Sequence, residues 1–318
     1  MVSDNGGTIA QKGFNYQNYV ISLVAIRNHK KKNFTIYVES DEDFEVKYDN
    51  DYHAYIQVKG QKHSLKKLLN TSKNKPSILE KNLNSGNEES IYKIVVYDFT
   101  ESDLKLMKEQ RDGEEELFES SWTLSDAQKD NVIYKLGKNI KNKLNRFAIV
   151  NSGFKNSSYD ARKYLKGELV DQGISVDGRA DTILNELKTI IELKSEKVIN
   201  LNNDKRLKRI TSKDLNSILW KVSSKARFDK ELKNFHFSSL REEKIKREEL
   251  KIVVNYMHIK KQVIDLLKEN EERLENESLV TFVPDLQKLE IFSNLEDNTK
   301  YAIIISAYCD ILEGIAND

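Results

Sequence analysis

Three extended runs crowd into the stretch from Phe34 to Lys59, and they constrain the fold more than anything else in the chain. They are Phe34–Glu39 (FTIYVE), Asp43–Tyr48 (DFEVKY) and Tyr52–Lys59 (YHAYIQVK). Each is rich in β-branched or aromatic residues and is bounded by turn-formers, notably Asp49-Asn50-Asp51. Ahead of them, Phe14 to Arg27 places Tyr16, Val20, Leu23, Val24 and Arg27 at helical spacing, which predicts an amphipathic helix starting after Gly13. Behind them, the lysine-rich stretch from Gly60 to Glu89 is expected to hold one or two short helices and loop, and Tyr92–Tyr97 (YKIVVY) reads as a buried strand. The predicted order is helix, three strands, helical segment, strand: an α/β core.

Gln57-Val58-Lys59 ends the third run. Side chains alternate along a strand, so Gln57 and Lys59 share a face, roughly 7 Å apart, while Val58 points into the core. If the second and third runs pair as a hairpin through Asp49–Asp51, Asp43 comes to lie across from Gln57 and Lys59. A carboxylate, an amide oxygen and an ammonium suit phosphodiester hydrolysis. That reaction needs a hard cation to polarise the phosphoryl group and to generate hydroxide, and Mg²⁺ needs only one or two protein oxygens. Asp43 and Gln57 are the candidate ligands, with Lys59 acting on the water or on the charge that develops at phosphorus.

Glu39 is a supporting candidate. Four residues of straight strand span about 13 Å, so Ser40-Asp41-Glu42 must turn the chain if Glu39 and Asp43 serve one ion. Taken alone, the cluster Glu39, Asp41, Glu42, Asp43 and Glu45 reads more readily as an ordinary solvated acidic face. Downstream the sign reverses: Lys59, Lys62, Lys66, Lys67, Lys73, Lys75 and Lys81 meet only Glu80. Such a flank can hold a phosphate backbone, or can be an ordinary solvated loop.

Further along, Ser125-x-x-Gln128 is a capping-box pattern and Phe147–Val150 reads as a strand. After about Val150 the chain turns helical. Apolar stripes run through Asp181–Lys194 and Ser212–Phe228, and a final helix is expected over Thr299–Ile315. A very long helix is expected after Ser239-x-x-Glu242, with Leu250, Val253, Val254, Met257, Ile264, Leu267 and Leu274 along one seam. Length and this change of character predict two domains, residues 1–150 carrying the chemistry and residues 151–318 a helical docking or oligomerisation domain.

Composition removes other classes. Lys+Arg (52) and Asp+Glu (51) nearly cancel, which counts against a protein that coats nucleic acid. Cys309 is the single cysteine, so neither an internal disulfide nor a cysteine zinc site is available. No signal-like N-terminus and no run of ~20 apolar residues is present, and a cytoplasmic location is expected. The histidines (His29, His53, His63, His236, His258) lack zinc spacings, and His53 reads as a plain strand residue. Gly6-Gly7 and Gly113 form no phosphate-cradling loop, and Tyr16 and Trp220 read as core.

The element order, with an acid ahead of a Q-x-K strand, resembles the PD-(D/E)XK nuclease core in its Mrr-like subset, where glutamine replaces glutamate. Gly6-Gly7, Ala10, Gly13-Phe14-x-Tyr16-Gln17, then Glu39-x-x-Glu42-Asp43, then Ile56-Gln57-Val58-Lys59-Gly60 resemble more specifically the double-stranded DNA endonuclease domain of CD-NTase-associated anti-phage effectors, over about residues 5–100. The resemblance implies a site in which Gln17 faces inward from the first helix, Asp43 and Gln57 bind Mg²⁺, and Lys59 acts on water. The helical second half does not match the cyclic-oligonucleotide sensor of such effectors. It fits better the arrangement in Lamassu-type defence complexes, where this nuclease domain is a subunit beside an SMC-like ATPase. Cutting both strands of double-stranded DNA takes two active sites or two visits, so a homo-oligomer is expected, with the helix after Ser239 as candidate contact. The competing reading is a non-catalytic nuclease-fold module that assembles a DNA-associated complex.

Overall fold

The computed structural model describes residues 5–49, 51–72, 75–111, 117–174, 179–199 and 202–312, with the backbone alone at 111, 202–203, 219–226 and 253–254. The chain divides into two compact units, the first ending at Ile218 and the second beginning at Leu219.

The first unit opens with helix α1 (Gly6–Asn28), followed by strands β1 (Thr35–Val38), β2 (Phe44–Tyr48) and β3 (Tyr52–His63). Short helices α2 (Leu65–Leu68) and α3 (Ile78–Asn84) lead to β4 (Ile91–Phe99). Next come α4 (Glu101–Leu104), β5 (Lys108–Arg111), β6 (Ser120–Thr123), α5 (Asp126–Leu136), α6 (Lys141–Leu144), β7 (Phe147–Asn151), α7 (Ser158–Asp171), α8 (Ala180–Ser195) and β8 (Arg209–Thr211). All eight strands form one sheet in the order β5-β6-β7-β4-β3-β2-β1-β8. β3, β4 and β7 run parallel, and the remaining pairs are antiparallel.

The predicted order of helix, three strands, helical segment and strand is the order observed. Alternation explains the hairpin: Phe44, Val46 and Tyr48 are buried on one face of β2, and the intervening residues take the other face. β4 lies mid-sheet with both faces covered, so Tyr92 to Val96 are all buried, as expected of an inner parallel strand. On one face, Leu65, Leu68, Leu79, Leu83, Tyr92 and Ile94 join a core with α5 and α6. Capping boxes at Ser77–Glu80 and Ser125–Gln128 start α3 and α5.

α1 differs from the expectation in two ways. It begins at Gly6, well before Gly13, and Tyr16 to Ile26 are buried without interruption. β3 covers it on one side and α7 and α8 on others, so that over Tyr16–Ile26 a helix enclosed all round replaces the amphipathic one. Tyr16 is core, 1% exposed and packed edge-on against Phe154.

Helix α9 (Ser212–Lys233) leads into the second unit, which contains α10 (Ser239–Lys251), a π-helical turn (Ile252–Tyr256), α11 (Met257–Glu269), α12 (Glu271–Asn276), α13 (Leu279–Leu286) and α14 (Asp297–Leu312). The long helix expected after Ser239 is therefore interrupted, and its N-cap is Ser238. The π turn shifts the helical phase. Of the residues expected on the apolar seam, Leu267 is buried but Leu250 and Met257 are exposed, and Ile245, Ile252 and Val263 are buried in their place. Their core partners are Phe282, Val283, Phe292, Ile303 to Ile305 and Cys309. The side chains of Trp220, Val253 and Val254 lie outside the described residues, as do the last residues of the helix expected over Thr299–Ile315. Among the described residues no helix is long and apolar enough to cross a membrane.

Candidate active site

The β1–β2 connection supplies the turn that Glu39 and Asp43 require. Val38 pairs with Phe44, and the Glu39 N–H donates to the Asp43 carbonyl at 2.9 Å. Glu39 sits at φ +48°, a left-handed conformation unusual for a non-glycine residue. From α1, the Gln17 carboxamide donates to Glu39 Oε1 at 2.5 Å and to the Asp43 carbonyl at 3.2 Å. Gln17 is 8% exposed, so α1 fixes both acids from inside the fold.

The β2–β3 hairpin brings the Q-x-K strand alongside. Phe44 pairs with Ile56, so one residue further on Asp43 stands opposite Gln57. Asp43 Oδ2 accepts the Val58 N–H at 2.7 Å and lies 3.8 Å from Lys59 Nζ. The two side chains that had to meet do meet. Gln57 is 2% exposed, and its carboxamide takes no hydrogen bond among the described residues. Past Lys59 the β3–β4 register shifts, and the Asn156 side chain donates to the Gly60 carbonyl at 2.9 Å. A cleft opens at this carboxyl end of β3, lined by Ile9, Lys12, Phe14, Asp43, Lys59 and His63 among others.

The acidic stretch is solvated only in part: Asp41 is exposed and Glu39 and Asp43 are half-buried, but Glu42 and Glu45 are buried. Glu42 is 3% exposed, and burial raises its pKa although Ser85 donates to it at 2.7 Å and Lys81 stands 3.6 Å away. Glu45 is 2% exposed. Burial alone would push its carboxyl up, but hydrogen bonds from His53 and Ser40 and the charge of Lys205 outweigh that and hold it at about 2. His53 is therefore a partner of Glu45, at 2.9 Å. The basic flank is thinner than its sequence suggests, because Lys62 pairs with Asp98 and Lys81 with Glu42; Lys73 lies outside the described residues.

Sequence reasoning missed four residues at or beside the site. Lys12 and His63 line the cleft, Asn156 anchors the strand end, and Lys208 donates to the Glu39 carbonyl at 2.7 Å. A lysine or asparagine so far from the motif carries no local signal of its role. For a hard divalent cation the set fits: one carboxylate and one unengaged amide oxygen suffice for an ion that retains most of its waters. No cluster of three His, Cys, Asp or Glu side chains converges among the described residues.

A sheet with an acid turn, a buried glutamine and a lysine at one strand end defines a nuclease-type core, and the chain belongs to that class by descent. Residues 5–166 match the family described as "Cap4, dsDNA endonuclease domain", and the chain is a member of it. Over nearly its whole length it is similar to a particular protein, the Lamassu protein LmuA of Bacillus sp. strain NIO-1130. The two are 36% identical over 324 residues, which cover 98% of this chain and 99% of LmuA.

Proposed function

We propose that this chain is a Mg²⁺-dependent endonuclease for double-stranded DNA, acting as a nuclease effector of a Lamassu-type anti-phage system under the control of partner subunits. The 3.8 Å approach of Lys59 to Asp43, beside a buried and unengaged Gln57, carries the reading. Family membership and the likeness to LmuA support it. Asp43 and Gln57 would hold the ion, which when bound polarises the phosphoryl group and lowers the pKa of water. Lys59 presents its ammonium to the attacking water and to the phosphoryl oxygens that gain charge. Gln17 keeps Glu39 and Asp43 in one turn. Lys12, which lines the cleft, and the exposed Lys66 and Lys67 would meet the backbone of the duplex. Cleavage of both strands calls for a second copy or a second visit, and the docking of partners, an SMC-like ATPase among them, falls to the helical second unit.

Plasmid cleavage tests this, with the chain assayed alone and together with the subunits encoded beside it. Cutting should require Mg²⁺ and stop with EDTA. Asp43→Ala and Lys59→Ala should each lower it by about 10²-fold or more with the circular dichroism spectrum unchanged. Undiminished nicking by both variants rejects the site, whereas a parent chain that cuts neither alone nor with those subunits would leave the non-catalytic, complex-assembling reading in its place.

A further inference from the structure

The family match ends at residue 166, yet the acid turn is held from beyond it. Lys208 is 7% exposed, and its ammonium donates to two backbone carbonyls, Glu39 O at 2.7 Å and Ser195 O at 3.3 Å. An ammonium withdrawn from water must find acceptors, and one of those found here belongs to the residue with left-handed backbone that opens the turn. Three residues earlier, Lys205 pairs with Asp41 inside the same turn and stands 3.5 Å from Glu45, which in turn receives hydrogen bonds from Ser40 and His53. Both lysines lie in the segment Asn202–Lys208, which runs straight into β8. β8 is itself locked to β1, with Ile210 opposite Ile36. The turn is thus gripped by Gln17 from α1, by the Val58 N–H from β3 and by two lysines from the strap that precedes β8.

We propose that Lys208, assisted by Lys205, is a positioning residue for the cation-binding turn, so that the site is completed by a segment outside the matched nuclease domain. This rests on the nuclease reading given above. The Lys208 ammonium bonds backbone carbonyls and not the side chain of a candidate ligand. It acts through the Glu39 carbonyl, and so through the placement of the Asp43 backbone and side chain. Residues that orient a metal's ligands without touching the metal change its affinity by about 10- to 100-fold when removed.

The test uses the full chain and Mn²⁺ alone as probe, titrated by its electron paramagnetic resonance signal, with melting temperature and cleavage measured in parallel. Lys208→Met should weaken Mn²⁺ binding by about tenfold or more and lower kcat at saturating DNA, with KM for DNA within about twofold. Lys208→Arg should recover most of both. Should Lys208→Met fail to fold, Lys208→Gln and Lys205→Met carry the same expectation in weaker form. Because Gln17 and Lys208 grip one turn, their combined loss should differ from the product of the separate losses. A Lys208 variant that loses only melting temperature and binds Mn²⁺ like the parent overturns the proposal and leaves the nuclease site standing. If Asp43→Ala binds Mn²⁺ as tightly as the parent, the nuclease site itself falls and the proposal with it.

Discussion

At the scale of single residues, Glu45 shows how burial and partners compete. Its carboxyl ordinarily titrates near 4.5, and in the fold it is held at about 2 because His53, Ser40 and Lys205 favour the anion more than burial opposes it. A depressed carboxylate contributes stability that is fully present above its unfolded pKa and is lost as pH falls toward the folded one. Urea midpoints of the first unit should therefore hold from pH 7 to pH 5 and fall between pH 4.5 and pH 2. Glu45→Gln should cost up to about 3 kcal/mol at pH 7 and flatten that acid limb. An acid limb as steep in the variant as in the parent would show that other carboxylates set it. Glycines give a second residue-scale contrast. A Cβ at Gly13, inside α1, would meet nothing, whereas one at Gly60 would come within 2.5 Å of the Asn156 carboxamide. Helical glycine costs about 1 kcal/mol against alanine, so Gly13→Ala should raise stability by about that amount, and Gly60→Ala, by displacing Asn156, should lower it. Thermal melts of the two variants decide the signs.

Among the elements, the strands that bear the site were legible because their pattern is local. β1, β2 and β3 alternate apolar and polar residues between clear turn-formers, and the Asp49–Asp51 turn puts Asp43 opposite Gln57 with no long-range knowledge. β5 (KEQR), β6 (SSWT) and β8 (RIT) were not legible. They lie at or near the two edges of the sheet, where one neighbour strand and little burial leave no apolar alternation to read. The start of α1 was missed for a related reason. Gly6, Gly7 and Gly13 disfavour helix, and residues 5–14 are exposed, so neither propensity nor burial marks those turns. In the second unit the π turn at Ile252–Tyr256 broke the period on which the seam had been counted. At the site, Asp43 and Lys59 could be placed from one hairpin. Lys205 and Lys208 bond to residues 164 and 169 positions away, and no periodicity within either segment encodes that meeting.

For the whole molecule, the near balance of 52 basic and 51 acidic side chains means that DNA affinity cannot come from net charge. It has to come from the few cations whose charge is not already spent on a neighbouring acid. Around the cleft the ion pairs subtract Lys62 and Lys81, while Lys12 lines the cleft and is exposed. Each phosphate contact contributes a slope of about −0.9 to the dependence of log affinity on log salt. A site with so few available cations should give a shallow slope, well below that of proteins that wrap their duplex. Lys12→Ala should then weaken binding of a duplex in Ca²⁺, where cutting is suppressed, and reduce the slope by about one. Lys81→Ala should leave the slope unchanged, because the Lys81 charge is committed to buried Glu42. Fluorescence anisotropy across a salt series measures both. An unaltered slope in Lys12→Ala, or an equal drop in Lys81→Ala, would place the duplex somewhere other than along the wall of α1.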